Sequence, residues 1–147
     1  MHNLPLQFSS EANANQEFGD AWSIRSGPMQ ATCAIPAEFG GVGDGFSPED
    51  FFLQALINCF VGTFKVYAKA SRLTFSNLNV KGQLTVDKNE SMKICMKKAF
   101  LQIEIHGVNQ PSRIETIVAK TLRDGFILNS VKTEIEHKLL VHINTEV

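Results

Sequence analysis

The sequence predicts an α+β fold, and three observations carry that expectation. Two short apolar runs, residues 17–24 and 29–35, flank Ser26-Gly27-Pro28, a turn signal that makes them a β-hairpin. Residues 47–70, SPEDFFLQALINCFVGTFKVYAKA, read as one long helix that is apolar almost all the way round. Beyond it come two runs that alternate apolar with polar, then a helical pattern, then a last alternating run. Hairpin, helix, two strands, helix and strand is the order of an α+β domain rather than of repeated βα units. The 147 residues are enough for one such domain, 1–147, with a sizeable core.

Each element has its own signal. Residues 1–15 are polar, with Leu4, Leu6 and Phe8 as candidates for a short edge strand. Pro36 ends the second hairpin strand, and the glycine-dense loop EFGGVGDGF leads into the long helix. Ser47 is a capping residue, Pro48 suits the first helical turn, and Glu49 and Asp50 place negative charge at the positive end of the dipole. A helix hydrophobic on every side is expected to be buried. Val80, Gly82, Leu84 and Val86 alternate with polar residues and form a strand, and Asp87-Lys88-Asn89-Glu90 is a turn. The next strand changes phase, from Met92, Ile94 and Met96 to Leu101, Ile103 and Ile105, which predicts a bulge at Lys97-Lys98. Pro111-Ser112 opens a second helix with Ile114, Ile117, Val118, Thr121 and Leu122 on one side; Gly125 stands where a helix-terminal glycine belongs. Residues 126–131 suggest one more helical turn. The final strand, residues 134–144, carries Ile135, His137, Leu139, Val141 and Ile143 on one face.

Composition narrows the function classes. A net charge of −1 gives no electrostatic ground for nucleic acid or an anionic membrane as partner. Eleven phenylalanines against one Tyr and one Trp favour a dry core or a buried subunit contact. The N-terminus has neither a basic start nor an apolar run, and Gln54, Asn58, Thr63 and Lys65 interrupt the helix as a membrane span. Three cysteines in such a chain point to free thiols in a reducing cytoplasm.

Candidates for chemistry are few. The glycine loop lacks a phosphate-binding spacing and is followed by two carboxylates. His2, His106, His137 and His142 show no metal-ligand spacing in the chain, so neither metal nor cofactor is expected. Cys33 and Cys95 fall in predicted strands and read as small hydrophobes. Cys59 lies in the middle of the long helix, where packing and reactivity are both open readings. It is about three turns past the cap, beyond the reach of the dipole, so an activating cation would come from elsewhere in the fold.

The stretch EFGGVGDGFSPEDFFLQALINCF resembles the signature of the OsmC/Ohr family of thiol peroxidases. Gly40 and Gly41 match its Gly-Gly loop, Pro48 and Glu49 its Pro-Glu pair, and Cys59 the cysteine ten positions after the glutamate. The resemblance implies an intertwined homodimer with its sites at the interface. It implies that Cys59 is oxidised by an organic hydroperoxide, with Glu49 and a hairpin arginine, nearest here Arg25, assisting the thiolate. The family's second, resolving cysteine falls on Gly125, so an external thiol would have to be the reductant. The expected function is thus a divergent one-cysteine peroxidase with a hydroperoxide and a small thiol as its molecular partners. The alternative is a non-catalytic relative that binds a small apolar ligand or a partner in the pocket between subunits.

The dimer has an independent argument. On one straight helix, Glu49 and Cys59 stand about 15 Å apart along the axis and roughly 80° apart around it. Either Glu49 serves the Cys59 of a second subunit, or the helix start bends back, or Glu49 is simply a helix-terminal carboxylate.

Overall fold

The computed structural model describes residues 3–143, and the chain divides into two compact units, Met1–Phe51 and Phe52–Val147. The first unit is a three-stranded antiparallel sheet, β1 (Ser10–Asn13), β2 (Trp22–Ser26) and β3 (Met29–Cys33), in that spatial order. Ser26 pairs with Met29, so Gly27-Pro28 closes the expected hairpin. The glycine loop returns alongside β3: Ala34 N–H donates to the Phe46 carbonyl at 2.9 Å, and Phe46 N–H to that of Thr32 at 2.9 Å.

Helix α1 (Pro48–Ala70) opens with a reciprocal cap. Ser47 Oγ accepts from Asp50 N–H at 3.0 Å, and Asp50 Oδ2 accepts from Ser47 N–H at 2.9 Å. Two otherwise orphaned donors are satisfied together, an arrangement that stabilises a helix start by about 1 kcal/mol.

In the second unit, β4 (Asn77–Lys88) and β5 (Ile94–Val108) pair antiparallel, and β6 (Glu134–Ile143) lies parallel to β5 on its other side. Helix α2 (Pro111–Asp124) provides the crossover that a parallel neighbour requires. Leu56, Phe60, Phe64 and Ala68, spaced by four on α1, are buried with Ala99, Leu101, Ile103 and Ile105 of β5 and Ile114, Ile117 and Val118 of α2. Burial of Phe60 or Phe64 is worth about 2–3 kcal/mol each. Gly82 lets α1 lie close on the sheet, since a Cβ there would come within 2.8 Å of Ile57 Cδ1 and 2.9 Å of Leu53 Cδ1.

Several expectations are met and several corrected. The bulge is present: Thr85 pairs with Lys98 and Val86 with Met96, leaving Lys97 unpaired. A 3-10 turn, Leu128–Ser130, follows α2 as expected. Leu4, Leu6 and Phe8 form no strand and are exposed, because the edge of β2 is taken by Ser10–Asn13. The first hairpin strand starts at Trp22 rather than at residue 17. Asn15 Oδ1 accepts from Glu17 N–H at 2.9 Å, and Asn15 Nδ2 donates to Asp20 Oδ2 at 3.0 Å, which folds that polar segment into a turn. Met92, at φ 64°, belongs to the turn before β5. His137 is exposed although it shares the phase of its apolar neighbours. His2 and Asn144 lie outside the described residues.

Helix α1 is long and apolar enough to cross a membrane by length and composition, and its apolar residues run almost all the way round. Within this chain only the Leu56–Phe60–Phe64–Ala68 stripe is buried; Leu53, Ile57 and Val61 are half-buried and Val66 is 64% exposed. One sheet face covers only part of a helix's circumference, so the remaining apolar surface is left without cover in the single chain.

Candidate functional site

Cys59 is half-buried on α1, one residue before the fully buried Phe60, and its thiol faces the end of α2. A Cβ at Gly125 would lie 2.9 Å from Cys59 Sγ, 2.9 Å from Leu128 Cδ1 and 3.2 Å from the Thr121 carbonyl. Gly125 has φ −56° and ψ 128°, so the left-handed freedom expected of a helix-terminal glycine is not what the position uses. What it uses is the missing side chain. The sulfur occupies space that any other residue at 125 would enter.

A clamp between α1 and α2 fixes this approach. Two turns beyond Cys59, the Tyr67 hydroxyl donates to Asp124 Oδ2 at 2.9 Å, immediately before Gly125. Arg123 donates to the same carboxylate at 2.7 and 3.0 Å, and the Lys120 ammonium lies 4.5 Å from the centre of the Tyr67 ring. The Arg123 guanidinium, then the Tyr67 hydroxyl, hold the Asp124 carboxyl down at about 2. The hydrogen bond to Asp124 correspondingly raises the Tyr67 phenol. The residue spacing in the chain gave no sign of this network, because its members are 57 residues apart.

The other anticipated residues lie in the first unit. Glu49 is half-buried on the first turn of α1, and its Oε2 is buried without a hydrogen-bond partner among the described residues. Its neighbour there is Cys33, which is 4% exposed. Burial pushes the Cys33 thiol up, a backbone hydrogen bond at Ala34 opposes this, and the charges of Glu49 and Asp50 add to the rise. Cys33 is therefore held as a neutral thiol, in keeping with the packing role expected of it. Arg25 is exposed on β2, opposite Glu11 and Gln30, and joins no ion pair among the described residues. All three cysteines are free.

A separate open cleft of about 720 Å³ is lined by Phe52, Cys95, Met96, Lys97, Val131 and Lys132 among others. Cys59 is not among its walls. Its Thr133 hydroxyl donates to the Met96 carbonyl at 2.6 Å, tying the connection into β6 against the start of β5.

Comparison with known proteins bears on this geometry. No curated protein matches the chain. Among solved structures, an OsmC-like protein of unknown function from Vibrio cholerae superimposes with a TM-score of 0.84 at 18% identity, over 92% of this chain and 100% of that one. An organic hydroperoxide resistance protein from Legionella pneumophila gives 0.73 at 19% identity, over 96% and 100%. The organic hydroperoxide resistance protein OhrB of Bacillus subtilis gives 0.67 at 18%, over 92% and 98%. These likenesses establish the fold. A model of the OsmC-like protein family matches residues 41–139, a span that includes Glu49, Cys59 and Gly125. The chain belongs to the OsmC-like protein family.

Proposed function

We propose that this protein is a one-cysteine thiol peroxidase that reduces organic hydroperoxides at Cys59. The observation that carries the reading is the placement of Cys59 Sγ directly against residue 125, where the family resemblance puts a second thiol. In this reading the family's pair of positions is kept with one sulfur removed. In the reaction the Cys59 thiolate attacks the distal oxygen of ROOH; the S–O bond forms, the O–O bond breaks, and the alkoxide leaves and takes a proton as ROH. Sulfur is oxidised by two electrons to the sulfenic acid and the hydroperoxide is reduced by two. With Gly125 opposite, no internal disulfide can follow. A small external thiol condenses with the sulfenic acid and releases water, and a second thiol displaces the mixed disulfide and restores Cys59.

The single domain acts as a homodimer in a reducing cytoplasm. The uncovered apolar faces of α1 support a second copy as their cover, as does the half-exposed Ile127 near Gly125. The partnerless Glu49 Oε2 supports it too: a buried carboxylate oxygen is stabilised by a donor that the chain's described residues do not supply. In this reading Glu49 and Arg25 serve the Cys59 of the other subunit.

The test is hydroperoxide consumption by the wild type and by Cys59→Ser with an added small thiol. Turnover is expected from the wild type alone, and equal consumption by the two would overturn the enzyme reading. A monomer in gel filtration would remove the shared site. The absence of the second thiol favours one competing reading, a non-catalytic relative that binds a small apolar ligand between subunits; it predicts no turnover with either protein.

A further inference from the structure

We propose that Glu104, His106 and His142 form a binding site for a divalent transition-metal ion, with Zn²⁺ the best match to the donor set. The site stands on the face of the β4–β6 sheet opposite the core. Ile103 and Ile105 point into the core, so Glu104 and His106, one position out of phase, project from the other face. The parallel register pairs His106 with His142 across the β5–β6 ladder, and this pairing brings together two histidines 36 positions apart in the chain.

The donor atoms are already gathered. Glu104 Oε1 lies 2.8 Å from His142 Nε2 and 3.3 Å from His106 Nε2, and one donor from each residue falls within 4.8 Å of the others. The two imidazoles stack with centroids 4.2 Å apart and planes 6° from parallel, which presents their nitrogens side by side. Tetrahedral zinc with bonds of about 2.0–2.1 Å separates its ligand atoms by about 3.3 Å. Moving the carboxylate oxygen outward by a fraction of an ångström from the two nitrogens would thus admit an ion. Imidazole with carboxylate is a donor set that zinc and its first-row neighbours accept.

The side chains are partly open, 37% exposed for Glu104, 41% for His106 and 44% for His142. Three protein ligands on an open surface leave a coordination position for water or a small anion, the arrangement of a catalytic rather than a purely structural centre. Asn77, the β4 partner of His106, and Asn79, the β4 partner of Glu104, flank the cluster on the same face with neutral amides.

The experiment is calorimetric titration of the untagged full-length protein with ZnCl₂, supported by the visible spectrum after loading with Co²⁺. One equivalent per chain is expected, weakened at least tenfold by His106→Ala, His142→Ala and the near-isosteric Glu104→Gln, with circular dichroism confirming that each variant is folded. His137→Ala, an exposed histidine on the opposite phase of β6, is expected to bind as the wild type does. Binding unaffected by His106→Ala and His142→Ala, or lost only when the cysteines are replaced by serine, would place the ion elsewhere and overturn the proposal. So would the absence of any zinc binding.

Discussion

Replacing Gly125 with cysteine tests the geometry of the Cys59 site more directly than any loss of function. An ideal Cβ at 125 lies 2.9 Å from Cys59 Sγ, and a disulfide places the Cβ of one half about 3 Å from the sulfur of the other. The same distance is therefore a clash for alanine and a near-ideal approach for cysteine. Alanine must displace the sulfur, the Leu128 methyl and, at 3.2 Å, the Thr121 carbonyl, and overpacking of this kind is destabilising by about 1–3 kcal/mol. Cysteine carries the same penalty when reduced. When oxidised, it closes a loop of about 66 residues, which the chain-entropy model values at about 4 kcal/mol. The net gain of about 2 kcal/mol corresponds to a rise of roughly 4–8 °C in Tm for a chain of this size. Three scans, of Gly125→Ala and of Gly125→Cys with and without reductant, measure all the terms. Treatment with one equivalent of an organic hydroperoxide followed by alkylation adds the chemical readout: the wild type keeps a sulfenic acid that dimedone traps, and the variant loses two alkylatable thiols. The variant carries four cysteines, so the bridge leaves two free thiols; four free thiols in the oxidised variant under denaturing alkylation, with unchanged Tm in all three scans, would refute the placement of Cys59 against residue 125.

The remaining predictions concern the frame of the site. Phe60→Ala removes a fully buried ring at the centre of the core and is expected to cost about 3–5 kcal/mol by urea denaturation. Gly82→Val drives methyls into Ile57 and Leu53 and should lower stability by about 1–3 kcal/mol, readable as a fall in the urea midpoint at unchanged m. Asp124 is held down at about 2 in the folded chain against an ordinary value of 3.8. Its contribution is therefore complete above pH 4 and fades as pH falls through 3.8 towards 2. Asp124→Asn should be less stable than the wild type at pH 6, and the gap should narrow across that acid window. A gap that stays constant from pH 6 to pH 2 would contradict the Arg123 and Tyr67 contacts.

Local signals carried much of the fold. Ser47, Pro48 and the acidic pair mark the start of α1 because capping is a local interaction, and the phase change at Lys97 marks the bulge because a strand records its own facing. Burial proved harder to read. Apolar residues all round α1 say that the helix seeks cover, but one chain covers one stripe, and pattern alone does not say what covers the rest. At the site, Cys59 was legible through its distance from Glu49, and Gly125 as a position without a thiol. That the glycine is where the sulfur rests depends on how α1 and α2 pack, which the Tyr67–Asp124 bond secures across 57 residues. His106 and His142 were invisible as a pair for the same reason, since a parallel crossover puts a whole helix between its two strands.

Strand β5 keeps two separate accounts on one backbone. Its odd positions from Ala99 to Ile105 are fixed by what α1 and α2 demand of the interior, while Glu104 and His106 answer to each other, to His142 and to solvent. Substitution at the outward positions leaves the interior untouched, so an ion-binding surface can be acquired or abandoned over evolutionary time while the core and the fold stay as they are. The lineage of this chain can therefore vary the two faces independently, a freedom that an insertion of even one residue between positions 99 and 106 would abolish, because it would exchange the faces.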